Sequence, residues 1–174
     1  SDLVENARIQ VADLVGAQSA SIVFTSGSTE AINLGIRGLL DTGLRGKKRV
    51  LVSATEHKAV LESLYLGAEQ NGLTVEEIPV LRDGMISLEV LSTMISDDVA
   101  LVAVMHVNNE TGVINPVEMI SEIVHKEGAL FFSDLTQSAG KIEVDIQALG
   151  IDLGVCSSHK IYGPKGVGAL FGNK

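Results

Sequence analysis

Short runs of β-branched and aliphatic residues alternate along the chain with longer stretches in which apolar positions recur three and four residues apart. Ile22 to Thr25, Arg49 to Ala54, Thr74 to Val80, Val99 to Val107, Ala129 to Asp134, Leu153 to Ser157 and Val167 to Phe171 read as seven strands. Between them, Thr29 to Leu40, Lys58 to Asn71, Leu88 to Ile95 and Val117 to Glu127 read as amphipathic helices, and Asp2 to Val15 opens the chain with a further helix-like segment. Gly72 follows Asn71 and Gly128 follows Glu127, where helices are expected to stop. The rhythm predicts a three-layer α/β domain: a mostly parallel seven-stranded sheet with helices on both faces, joined by right-handed crossovers. Only a glycine-rich loop separates the last two strands, which allows the final one to run antiparallel. No internal repeat, low-complexity tract or linker interrupts the pattern.

Composition narrows this picture. With 174 residues and 45% hydrophobic content the chain is able to bury one substantial core. Aromatic residues make up 3% and Trp is absent, so that core is built from Val, Ile, Leu and Ala, as in parallel sheets covered on both faces. A formal net charge of −9 argues against non-specific binding to nucleic acid or to an anionic membrane. No stretch approaches the length of a membrane span, and the opening residues mix charges with apolar positions, so neither signal peptide nor anchor is expected and the location is expected to be cytoplasmic. Cys156 is the only cysteine, which excludes an intrachain disulfide; its neighbours Leu153 and Val155 place it in a strand, as a small buried hydrophobe. The chain opens abruptly on a helix and stops at Gly172-Asn173-Lys174 directly after a strand, so residues 1–174 are expected to be one truncated domain of a longer protein.

In a sheet of this kind ligands lie beyond the carboxyl ends of the strands, and there the polar residues gather. After the first strand, TSGSTEAINL (25–34) sets Ser28 and Thr29 at a helix start, where free amides, hydroxyls and the helix dipole suit a phosphate; an ordinary Ser/Thr cap accounts for the same residues read alone. After the second, ATEHKAV (54–60) places His57 at a helix start, either as a capping or solvated residue or as a ring able to stack on a planar heterocycle and exchange protons. Asn108 and Asn109 follow the long central strand, as a polar turn or as amide donors. Asp134 ends the next strand, with Gln137 and Ser138 one turn on, and a carboxylate at the buried end of a strand calls for a cation such as a protonated pyridine nitrogen. Last, SSHKIYGPKGVG (157–168) sets Lys160 beside Ser157 and His159: a solvated charge in a tight turn, or an amine for an aldehyde with anion-holding groups at hand. A phosphate cradle, a ring-stacking His, an amide, a carboxylate and a lysine at one sheet edge are the parts that pyridoxal phosphate needs.

TSGSTEAINL, TEHKAV, HVNNETGV, SDLTQSAGK and SSHKIYGPKGVGAL, in this order across nearly the whole chain, resemble the large, cofactor-binding domain of the cysteine desulfurases, in the class V aminotransferase group of pyridoxal phosphate enzymes with the type I fold. The resemblance implies Lys160 as the catalytic, cofactor-bearing lysine, Asp134 as partner of the pyridine nitrogen and His57 as the residue stacked on the ring. It also implies Asn109 and Gln137 at the phenolic oxygen, and Ser28, Thr29, Ser157 and His159 at the phosphate. L-Cysteine is the implied substrate, alanine the product, and a sulfur acceptor protein such as an iron-sulfur scaffold the implied partner of a homodimeric parent. Cys156 matches no persulfide-bearing loop, and the thiol acceptor, the substrate-binding arginine and a phosphate contact from the neighbouring subunit are implied to lie beyond Lys174. A selenocysteine lyase, a small aminotransferase and a cofactor-binding module without turnover are the competing readings; the TEHKAV and NNETGV details favour the desulfurase.

Overall fold

The computed structural model describes residues 1–42 and 46–172; the expected close of the chain at Asn173-Lys174 lies outside the described residues. In chain order the elements are α1 (Asp2–Val15), β1 (Ile22–Thr25), α2 (Ser28–Asp41), β2 (Arg49–Ser53), α3 (Lys58–Asn71), β3 (Thr74–Ile78), α4 (Leu88–Met94), β4 (Val99–Ala103), α5 (Val117–Lys126), β5 (Leu130–Asp134), β6 (Leu153–Ser157) and β7 (Gly168–Gly172). Single 3-10 turns at Ser19–Ser21 and Ser158–Lys160 were not foreseen from the periodicity. The strands form one sheet in the order β1-β7-β6-β5-β4-β2-β3. β3, β2, β4, β5 and β6 run parallel, and β7 is antiparallel to both β6 and β1, so β1 again points the same way as β6.

Alternation along the buried strands divides the apolar residues between two layers. Val50, Val52, Leu101, Phe132 and Val155 pack against Ile32, Ile36 and Leu40 of α2 and Val60 and Leu64 of α3. Leu51, Val102 and Phe131 face the other way, against Val15 of α1, Leu91 of α4 and Ile120 and Val124 of α5. Phe131, Phe132 and Phe171 are wholly buried, each contributing about 1.5–3 kcal/mol through removal of its ring from water. At the amino edge of the sheet, Arg49 bonds Asp98 at 2.8 Å and Glu76 at 3.2 Å, and its guanidinium with the Ser96 hydroxyl holds the Asp98 carboxyl well below the usual carboxylate range. Among the described residues no helix is long and apolar enough to cross a membrane.

Two strands are shorter by two residues or more than the hydrophobic runs that predict them. β3 stops at Ile78 because Pro79 has no amide to continue the ladder, and Val80 bridges Ile86 instead of extending the sheet. β4 stops at Ala103, although Val104 and His106 still donate to the carbonyls of Phe132 and Asp134 at 3.1 and 3.2 Å. The segment 104–107 therefore keeps its partner on the β5 side and loses β2 on the other. There the side chain of Glu56 takes the place of a strand and accepts the Met105 amide.

β7 approaches the β1–α2 loop so closely that a Cβ on Gly168 would lie 2.5 Å from the backbone carbon of Gly27. Only hydrogen fits there. Gly168→Ala is expected to destabilise the chain by about 1–3 kcal/mol, because the obstacle is backbone and cannot rotate away. A lower urea midpoint at unchanged slope is the expected readout; an unchanged midpoint would show that the loop yields without cost.

Candidate active site

The sheet directions bring the carboxyl ends of β1, β2, β4, β5 and β6 to one edge, and a cavity of about 290 Å³ opens there. Its wall contains Ser28 and Thr29 after β1, His57 after β2, Asn109 after the β4 segment, Asp134 and Gln137 at and after β5, and His159 and Lys160 after β6. Ser157 lies outside this wall; it lines an adjoining cavity together with Ser28, Thr29, His159 and Lys165. The structure thus brings eight of the nine residues singled out in the sequence to one cavity, and the ninth to the opening beside it. Met105, Val107 and Thr136 complete the wall.

At the start of α2, Gly27 is the capping residue and no side chain caps the helix, so the hydroxyls of Ser28 and Thr29 are not consumed in satisfying it. Glu30 instead binds the Ser26 amide and hydroxyl, each at 2.6 Å, which pins the loop in front of the first turn. Free amides, two hydroxyls and the positive end of a 14-residue helix converge on the shared wall of the two cavities, an arrangement that suits an anion. Ser157, buried, places its Oγ 2.7 Å from His159 Nδ1 and so fixes the ring that stands on the same wall.

His57 acts as the cap that one of its sequence readings expects, and borders the cavity. Its Nδ1 accepts the Ala59 amide at 3.2 Å and caps α3, which places the proton of the neutral ring on Nε2, while the side chain borders the cavity. The turn residue is Asn108, buried, whose Oδ1 accepts the amides of Glu110 and Thr111, both at 2.9 Å. That leaves the exposed Asn109 as the residue presented to the cavity. Gln137 is held by Lys141, whose Nζ donates to its Oε1 at 2.7 Å, so the amide NH₂ is the group left to donate.

Asp134 is 7% exposed, and one of its oxygens accepts the Thr136 amide at 2.9 Å. It forms no ion pair among the described residues. Burial pushes its carboxyl upward, opposed by that hydrogen bond and by the nearby His57. A carboxylate so placed lacks a cation, and the cavity it borders supplies the space for one. Lys160 ends the 3-10 turn after β6 and makes no hydrogen bond or ion pair among the described residues, leaving its amine on the cavity wall. Two residues on, Tyr162 adopts a left-handed backbone at φ 63°, costing roughly 1–2 kcal/mol, as the chain turns back toward β7.

Cys156 is buried in β6, and burial pushes its thiol up to about 11, which keeps it protonated and unreactive at neutral pH. Glu56, by contrast, escaped the sequence reading. It is 6% exposed, one residue before His57, and its Oε2 has no partner. Its only local signal was a carboxylate lying between a buried strand and a helix cap with no adjacent basic residue on the strand side.

Comparison with known proteins places this geometry among relatives. The chain matches the family described as Aminotransferase class-V over residues 1–174. It is 44% identical over 171 residues to the cysteine desulfurase IscS of Rickettsia africae (strain ESF-5), a match covering 98% of this chain and 42% of that protein. Among solved structures, the cysteine desulfurase CsdA of Escherichia coli, in its S-sulfonic acid form, matches with TM-score 0.93 at 31% identity, over 97% of this chain and 43% of that one. SspA in complex with cysteine matches with TM-score 0.91 at 36% identity, over 98% and 49%. The chain spans less than half the length of the curated relatives it matches.

Proposed function

The chain belongs to the class V aminotransferase family, and from that premise we propose that it is the cofactor-binding domain of a pyridoxal phosphate-dependent cysteine desulfurase, which takes sulfur from L-cysteine and leaves alanine. The observation that carries this reading is the buried, cation-free carboxylate of Asp134 on the same cavity wall as the unengaged amine of Lys160. The donor set fits the cofactor part by part. Asp134 would hold the protonated ring nitrogen, His57 the ring face, Asn109 and Gln137 the phenolic oxygen, and Ser28, Thr29, Ser157 and His159 the phosphate. Lys160 would bond the aldehyde carbon. When bound, the cofactor supplies an electron-withdrawing ring that stabilises negative charge at the substrate's α-carbon.

The chain's own residues do the rest. Lys160 is the amine placed to take a proton from the α-carbon, and His57 Nε2 is a second site able to hold or donate one. Asp134 would keep the positive charge on the ring side of the cavity, and Met105 and Val107 complete its wall. Since Cys156 is buried, the thiol that accepts sulfur on this reading belongs to a part of the protein outside these residues, where the family resemblance also implies the substrate-binding arginine. A homodimer, a cytoplasmic location and a sulfur acceptor such as an iron-sulfur scaffold complete the reading as what the family resemblance implies.

The buried Cys156 also favours a second reading of residues 1–174 by themselves: a cofactor-binding module that does not turn over. One titration separates the outcomes. Adding pyridoxal phosphate to the chain is expected to produce a near-visible absorption band that L-cysteine perturbs, with no sulfide released by these residues alone. Sulfide and alanine are expected only from protein that also carries the acceptor thiol. A chain that binds no pyridoxal phosphate overturns the cofactor reading; one that releases sulfide, and stops doing so in Cys156→Ala, overturns the division of labour.

A further inference from the structure

We propose that Glu56 is a positioning residue for the reaction: by accepting the Met105 amide it ties the turn that presents His57 to the cavity-wall segment that presents Asn109, and so fixes the spacing of two groups assigned to one bound ring. The need for such a tie arises where the sheet splits. Beyond Ala103, Val104 and His106 donate to the carbonyls of Phe132 and Asp134 on the β5 side, at 3.1 and 3.2 Å. Met105, between them, therefore turns its own amide and carbonyl to the side that β2 has left after Ser53. Met105 is 2% exposed, and buried backbone groups require partners.

Side chains take both places. Glu56 Oε1 accepts the Met105 amide, and the buried Asn115 donates from Nδ2 to the Met105 carbonyl at 2.9 Å. A second tie joins the same turn and segment, since Asn108 Nδ2 donates to the Thr55 carbonyl at 3.1 Å. Glu56 Oε2 has no partner, so the bond to Met105 is the one hydrogen bond its side chain makes among the described residues.

The two cavity residues flank these ties. His57 follows Glu56 by one residue and is anchored on its other side by capping α3, while Asn109 follows the tied Asn108 by one. The reach of a glutamate thus stands in for a strand that ended too early. Its role toward the ring rests on the cofactor reading proposed above, whereas the tie between turn and segment does not.

Hydrogen exchange over residues 104–109, followed by mass spectrometry in the protein containing this chain before cofactor is added, tests the tie. Glu56→Leu removes the acceptor and is expected to speed exchange there about tenfold; Glu56→Gln keeps an acceptor oxygen at the same reach and is expected to stay near the unaltered rate. Should the Leu variant fail to fold, Glu56→Asp takes its place, because its carboxyl is one methylene short of the Met105 amide. Exchange unchanged by loss of the acceptor, or a Gln variant as fast as the Leu variant, overturns the proposal. The pH dependence of the near-visible band in the loaded protein tests the positioning. Donation to the phenolic oxygen favours its anion, so Asn109→Ala is expected to raise the midpoint of that band by about one pH unit. Glu56→Leu is expected to raise it in the same direction, Glu56→Gln to reverse most of that rise, and Glu56→Leu combined with Asn109→Ala to raise it no further than Asn109→Ala alone, since both act through one contact. Rises that sum, or no rise in Glu56→Leu while exchange is faster, show a residue of stability only and overturn the positioning role. Protein that binds no pyridoxal phosphate brings down the cofactor reading and the role toward the ring with it, and hydrogen exchange still decides the tie.

Discussion

Lys160→Ala is expected to abolish covalent retention of pyridoxal phosphate altogether. In the unaltered chain, borohydride reduction followed by peptide mapping should fix one pyridoxyl group, on the peptide containing Lys160. Two other lysines are near enough to compete, and the structure separates them. Lys141 is bound to Gln137 at 2.7 Å and is absent from the cavity wall, while Lys165 borders the adjoining cavity and not the wall that Asp134 and Lys160 share. In a desulfurase containing this chain, the same substitution removes both the anchoring amine and the base, and alanine formation is expected to fall by roughly 10²–10⁴-fold or more. A pyridoxyl group recovered on Lys141 or Lys165 would sink the assignment.

Asp134→Asn should separate stability from chemistry. In the unloaded chain the buried carboxyls of Asp134 and Glu56 are both pushed upward, so each is more readily protonated folded than unfolded. The sign follows from linkage: their contribution to stability is fully present below the unfolded pKa of about 4 and is lost as pH rises through the folded value, about 8 for Glu56. Removing the Asp134 charge is therefore expected to leave the unloaded chain at least as stable at neutral pH, by thermal or urea unfolding. In a desulfurase containing this chain and loaded with cofactor, the opposite is expected. An amide cannot neutralise a protonated ring nitrogen, and breaking a buried pair of this kind costs about 3–5 kcal/mol, so exchange of the substrate's α-proton is expected to slow by roughly 10²–10⁴-fold. An unchanged exchange rate would show that the carboxylate is structural.

What the sequence disclosed follows from how local each signal is. β1 and β6 are legible to the residue because a turn or cap lies at each end, and the site residues after β1, β2, β5 and β6 are legible because a parallel sheet delivers all its carboxyl ends to one edge. The end of β4 is not legible in this way. Its run continues to Val107 with only His106 to interrupt the apolar residues, and the strand stops because β2, more than 40 residues earlier, has already turned away at Ser53. Glu56 is hidden for the same reason: its burial depends on the gap left beside Met105, which arises when two distant segments end out of step. The roles of Thr29 and His57 are ambiguous at the sequence level because helix capping and ligand holding use the same residue types. The structure shows that Gly27 relieves Thr29 of capping, while His57 performs that duty with one nitrogen and keeps the other free.

The place of β7 between β1 and β6 also sets an order of events as the chain is made. β1 stands at the sheet edge, and among the described residues β7 is its sole strand partner, paired Ile22 to Phe171 through Thr25 to Gly168. The β1–α2 loop that presents Ser28 and Thr29 can be synthesised early but gains its sheet only when the residues around 168–172 have emerged from the ribosome. Until then the lysine loop and the anion cradle belong to separate pieces. On the cofactor reading proposed above, capture of pyridoxal phosphate is thus expected only once residues 168–172 have been made, which would spare shorter chains from binding a reactive aldehyde at a site unable to orient it.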